Sequence, residues 1–215
     1  TNCEFTGNKA SNGHAIYIQE HYSLLNAKLN VQSCQFTNNG DDSNNFLIAA
    51  YIGEIHLDDN HVIYNDITKS TGILYVAPEQ AKLIEITNSE FENCYTNQFN
   101  AIFIDTKTAD STIRFLNCLY KNCISENYVI KVTKGNVEME SCTFTYDNNE
   151  VSCGSIDSGE QGLKVSYSNF IRTKSEGAIK VAQKHDAEEA ISIVNTVFDD
   201  CVGTNTRCFQ ICFYT

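Results

Sequence analysis

His56, Asp58, Asp59 and His61 crowd four titratable side chains into one short stretch, the best constellation in the chain for acid/base chemistry. A histidine within hydrogen-bond reach of a carboxylate can give and take protons near neutral pH. When the chain is aligned on its internal repeat, His56 and His61 point outward beside Glu85 and Glu90 of the following coil, and Asp59 falls at a turn. The same neighbours also arise wherever charged residues ladder along a sheet, so the group has a catalytic and a purely structural reading. Asp41-Asp42 and Asp199-Asp200 read as solvated turns, and the stretch from Ala182 to Ala190, with Lys184-His185-Asp186, reads as a polar loop insertion. No phosphate-binding glycine loop and no Ser/His/Asp order is present, so neither a nucleotide cofactor nor a catalytic triad is expected.

Ten cysteines are many for a reduced cytosolic chain. Their spacing contains no C-x-x-C pair of a zinc site, and no metal or other cofactor is expected. Cys3 and Cys34, Cys94 and Cys123, and Cys118 and Cys142 occupy equivalent places in successive repeats. Stacked coils would set their Cα atoms about 4.8 Å apart, within disulfide range. Parallel, inward side chains can instead leave them as free thiols that act as small core residues. Both states stay open on sequence alone.

The elements that must position these residues follow from a repeat. Phe5, Phe36, Val62, Phe91, Tyr120, Phe144, Phe170 and Phe198 mark one column, with successive spacings between 24 and 31 residues. Seven and five residues before the later anchors come apolar pairs such as Ile55/Leu57, Ile84/Ile86 and Val137/Met139; nine to twelve residues after come Ile48/Ala50, Leu74/Val76 and Ile130/Val132. Each pair alternates with a residue of the other face, which is the period of a half-buried strand rather than a helix. Only the coil around Ile156 is weak in the last column. Three short strands per repeat bury their apolar faces together when the chain winds into a solenoid, with three parallel sheets around one core. The fold expected is all-β: a right-handed parallel β-helix of about seven to eight coils over residues 1–215, a single domain roughly 35 Å long. Both termini fall inside coils, which suggests a fragment of a longer molecule.

Phe5-Thr6-Gly7-Asn8 and Phe36-Thr37-Asn38-Asn39 resemble the F-x-x-N half, and Gly13-His14-Ala15-Ile16 and Gly177-Ala178-Ile179 the G-G-A-I half, of polymorphic-outer-membrane-protein repeats. Those repeats belong to the pectin-lyase-like β-helix superfamily. Cys94, Cys123 and Cys201 stand where the Asn would be. The resemblance implies a cell-surface or secreted adhesive protein. It also brings in polysaccharide lyases and hydrolases, but the N-T-D, G-H-G and R-I-K patterns of galacturonases are absent.

The outward columns bear on partners. Glu85, Arg114, Glu138 and Lys164 share one outward position in successive coils, and Lys131, Asp157 and Lys180 share another; alternating charges of this kind favour in-register stacking. Tyr17, Ala49, Tyr75 and Phe103 share a third, an aromatic strip able to stack on sugar rings or dock on a protein, or simply to stabilise the sheet. Tyr17, Tyr75 and Phe103 are the candidate binding residues. A net charge of −12 disfavours nucleic acid, and no run is apolar enough to insert into a membrane.

Together these readings favour a non-enzymatic spacer and adhesive segment, outside the cell, whose partner is a protein, a glycan or further β-helix copies. The alternatives are a carbohydrate-active enzyme domain and a component of an intracellular or appendage filament. Against an exterior location, the 24 asparagines include no N-x-[ST] glycosylation sequon.

Overall fold

The computed structural model describes residues 1–10, 13–19, 27–40, 45–64, 71–79, 82–96, 100–125, 128–147, 154–159, 162–175, 177–184, 191–203 and 209–214. It is an all-β parallel solenoid. Three sheets of eight, eight and seven strands enclose one interior, and every pairing is parallel between one coil and the next. The first sheet runs from Glu4–Thr6 to Val197–Asp199, the second from Ile16–Ile18 to Phe209–Tyr214, and the third from Lys28–Gln32 to Ser192–Val194.

Register follows the apolar columns. Phe5, Phe36, Val62, Phe91, Tyr120, Phe144, Phe170 and Phe198 are successive partners across the first sheet. Their rings stack: Phe91 on Tyr120 at 5.1 Å, Tyr120 on Phe144 at 4.5 Å and Phe144 on Phe170 at 5.2 Å. Ile55, Ile84, Ile113 and Val137 align in the third sheet, and Ile48, Leu74, Ile102 and Ile130 in the second, all buried. The fully closed stack extends from Phe36 to Phe170, about five turns, fewer than the seven to eight coils expected. The outermost coils have a neighbour on one side only, which leaves Phe5 and Phe198 half-buried.

Left-handed residues mark two of the corners between the three sheets. Asn2, Ser33, Asp59, Asn88, Asn117, Ser141, Tyr167 and Asn195, between the third and first sheets, all hold φ between 48° and 55°. Asn38, Asn93, Asn122, Arg172 and Asp200, with Gly7, form a second left-handed column just after the first sheet. Asn, Asp and Gly reach this conformation at least cost, which accounts for the asparagines at these corners. The backbone ladder continues through the first corner, where Asp59 N–H donates to Thr87 O and Asn88 N–H to Leu116 O.

One local reading holds and another is revised. The coil around Ile156 has a four-residue strand, Gly154–Asp157, and buried Ser158 follows it where Val132 and Val181 stand in neighbouring coils. Residues 182–184 are not loop: they extend strand Ile179–Lys184, because Ala182, Gln183 and Lys184 find register partners in Cys212, Phe213 and Tyr214. Asp41, Asp42 and residues 185–190 lie outside the described residues.

Candidate functional site

Alternation along each strand sends every second side chain outward, so each sheet presents its own column chemistry. On the third sheet, Asn30, His56, Glu85, Arg114, Glu138, Lys164 and Ser192 are consecutive partners. His56 bridges two acids, with Nδ1 3.2 Å from Glu85 Oε2 and Nε2 3.1 Å from Glu54 Oε1. Both contacts are hydrogen bonds at once only when each ring nitrogen carries a proton. Lys28 caps Glu54 at 2.6 Å, and Arg114 Nε donates to Glu138 Oε2 at 2.9 Å. The Lys28 ammonium, with His56, holds the Glu54 carboxyl below its ordinary range, and Arg114 does the same for Glu138.

The Asp58-Asp59 group is committed to the corner. Asp58 accepts from Thr87 Oγ1 at 2.7 Å and Asn88 Nδ2 at 2.9 Å, and these bonds lower its pKa; Asp59 accepts from Ser33 Oγ at 2.7 Å. His61 belongs to the first sheet, so it is separated from His56 by the corner. It faces Glu90 in register, and Glu92 lies two residues further on the same face, paired with Lys121 at 2.8 Å. The sequence therefore places two separate His–Glu neighbours rather than one four-residue centre.

On the second sheet, Tyr17, Ala49, Tyr75, Phe103, Lys131, Asp157 and Lys180 are consecutive partners. Tyr17 is exposed, Tyr75 and Phe103 are half-buried, and Ala49 is buried. Alignment does not anticipate Phe46 and Tyr51, whose rings join the strip. Phe46 stacks on Tyr75 at 5.3 Å, and Tyr51 meets Tyr17 at 6.2 Å and Tyr75 at 5.8 Å, both edge-on. Phe103 leans on Tyr75 at 5.7 Å and carries Lys131 Nζ 5.9 Å from its ring centre. Four partly or fully exposed aromatic rings and one ammonium thus form a contiguous outer patch, with the buried ring of Phe46 stacked against it. Partial burial raises the Tyr51 and Tyr75 phenols; Tyr75 and Tyr17 add to the shift at Tyr51, whereas at Tyr75 Asp105 adds and Lys107 opposes.

Cys34, Cys94, Cys118, Cys123 and Cys142 are buried, Cys201 is half-buried, and Cys3 on the outermost coil is exposed. Cys3, Cys34, Asn60, Ser89, Cys118, Cys142 and Ser168 follow the left-handed corner residue, where the backbone N–H points into the core. A buried donor needs a partner, and the next coil supplies it. Cys3 N–H donates to Cys34 Sγ, Cys34 N–H to Asn60 Oδ1, Asn60 N–H to Ser89 Oγ and Cys142 N–H to Ser168 Oγ, all at 3.1–3.4 Å. The accepting side chain in turn donates a hydrogen bond to a nearby carbonyl: Ser89 Oγ to Thr87 O at 2.8 Å, Cys142 Sγ to Phe115 O at 3.3 Å. After the second corner, Cys123 donates to Phe91 O and Cys201 to Phe170 O, as Asn39 Nδ2 does to Phe5 O. Cysteine therefore replaces asparagine in function as well as in position.

The expected pairs Cys3–Cys34, Cys94–Cys123 and Cys118–Cys142 do stand in adjacent coils, and all six residues carry free thiols in the structure. Burial pushes the Cys94 thiol well up; the hydrogen bond with Cys118, then burial, does the same at Cys142.

No protein-family model, curated protein or solved structure matches the chain.

Proposed function

We propose that the chain is a non-enzymatic segment of a cell-surface or secreted protein, serving as a stiff spacer with an interaction face. In this reading the solenoid is a right-handed, pectin-lyase-like β-helix of seven to eight coils built from polymorphic-outer-membrane-protein-type repeats. The handedness rests on the general rule for parallel crossovers, and the family on the half-motifs at Phe5, Phe36, Gly13 and Gly177. The observation that carries the function is the outer aromatic patch of Tyr17, Tyr51, Tyr75 and Phe103, backed by the buried ring of Phe46, on a wall otherwise given to charge ladders. Flat rings held by a rigid sheet lose little side-chain freedom on contact with a protein, a sugar face or another copy. Commitment of Asp58, Asp59 and His56 to local bonds weighs against a lyase or hydrolase.

Sedimentation velocity and a glycan panel, run on the wild type and on a Tyr75→Ala/Phe103→Ala double variant, test the face. Association in the wild type, lost in a double variant with an unchanged unfolding midpoint, is expected. A parallel screen on neutral and acidic polysaccharides, with and without calcium, tests the spacer reading. Turnover that disappears in His61→Ala would replace it with an enzyme.

A second reading, a component of an intracellular or appendage filament, is favoured by the free thiols and the lack of sequons.

A further inference from the structure

Imidazole and carboxylate donors converge at one point on the outside of the first sheet. His61 and Glu90 are register partners, and Glu92 projects from the same face two residues along. One donor atom from each lies within 4.8 Å of the other two. The telling atom is His61 Nε2: it is shielded from solvent, it has no hydrogen-bond partner, and Glu90 Oε2 stands 4.0 Å away. A shielded imidazole nitrogen left without a bond is an unfavourable arrangement, and two carboxylates stand beside this one. His56 makes the contrast, because both of its nitrogens are already taken by Glu54 and Glu85.

We infer that His61, Glu90 and Glu92 bind one divalent transition-metal ion of the zinc class. Mixed nitrogen and oxygen donors select such an ion over calcium or magnesium, which favour larger all-oxygen shells. Metal–donor distances of about 2.0–2.2 Å require the three atoms to close to roughly 3.3 Å apart. Two glutamate side chains on a fixed sheet reach that by rotamer changes alone. Solvent completes the coordination from the carboxylate side, where Glu90 is the most open of the three to water, while the imidazole nitrogen meets the ion from its shielded side. Lys121 Nζ holds Glu92 Oε1 at 2.8 Å, so this ammonium competes with the ion for the carboxylate. The chain's net charge of −12 concentrates cations around the site.

Titration calorimetry of the full chain with Zn²⁺, in excess Ca²⁺ and Mg²⁺, tests the site. One ion per chain is expected, with affinity reduced by about tenfold or more in His61→Ala and in Glu92→Gln, since even outer partners of a metal ligand cost that much. Lys121→Ala is expected to raise affinity severalfold, and His56→Ala to leave it unchanged. Absorption of the Co²⁺-loaded protein should show only the weak visible bands of nitrogen and oxygen ligands. Intense thiolate charge-transfer bands, Ca²⁺ displacing Zn²⁺ at equal concentration, or undiminished affinity in both His61→Ala and Glu92→Gln would overturn the assignment. Glu92→Gln keeps the side-chain shape and decides the matter should His61→Ala unfold.

Discussion

Tyr120 and Phe144 lie with ring centres 4.5 Å apart and planes 9° from parallel, the closest step in a ring stack that threads the solenoid. Both side chains are fully buried, whereas Phe5, on the outermost coil, is only partly so. Phe144→Ala is therefore expected to cost about 3–5 kcal/mol, through lost transfer energy and a cavity between two rings. Phe5→Ala should cost well under half of that. Urea unfolding of the two variants gives the comparison, and equal losses would contradict the stack as the main source of cohesion.

Tyr167 occupies a left-handed corner at φ 51°, where the equivalent coils carry Asn, Ser or Asp, and its ring is largely exposed. A tyrosine gains nothing from this conformation, while asparagine tolerates it. Tyr167→Asn should stabilise the protein by about 0.5–1 kcal/mol, read as a rise in the urea midpoint at constant slope.

Serine and cysteine alternate in one hydrogen-bonding role, so Cys142→Ser should change stability by less than about 1 kcal/mol. Cys142→Leu, which removes the acceptor for Cys118 N–H and crowds the core, should cost about 1–3 kcal/mol. Alkylation without reductant, followed by mass measurement, should label exposed Cys3 in the native protein and reach Cys94, Cys118, Cys123 and Cys142 only after unfolding. Two or more disulfides among the three column pairs would instead show that the coils close far enough to bridge, and would argue for an oxidising compartment.

Glu54, Asp58 and Glu138 all ionise more readily in the fold than usual, through Lys28, through Thr87 and Asn88, and through Arg114 respectively. A carboxylate with a depressed folded pKa stabilises the protein above its unfolded value near 4 and loses that contribution as pH falls through the folded value. The urea midpoint should therefore hold level from pH 7 to about 5 and decline below about 4. Arg114→Ala should shrink the decline by returning Glu138 toward ordinary behaviour.

Much of this was legible in the residues, and the reason is periodicity. The anchors from Phe5 to Phe198 and the paired columns such as Ile84/Ile86 repeat a two-residue alternation that only stacked strands satisfy, and each stands in the register that alignment implies. Phe46 and Tyr51 escaped because neither shares the aligned outward position of Tyr17 and Tyr75; their rings reach the strip from flanking sites. Glu92 escaped because alignment compares one place in successive coils, while Glu92 reaches His61 along its neighbour's strand. The cysteines were ambiguous for a different reason. Column spacing fixes where two sulfurs stand, but their role depends on backbone N–H groups that turn inward at left-handed corners, and conformation of that kind is only hinted at by Asn and Ser.

Coil-on-coil pairing also has a mechanical side. The backbone ladders bind each coil only to its neighbours and point along the stack, so a pull on the two ends of the stack loads them lengthwise. Such bonds open a few at a time, like a seam parting stitch by stitch, instead of resisting together as sheared strands do. Each coil of 24–31 residues that peels away pays out roughly 80–105 Å of slack chain. Under tension the protein would lengthen in discrete steps and shorten again as the coils re-form.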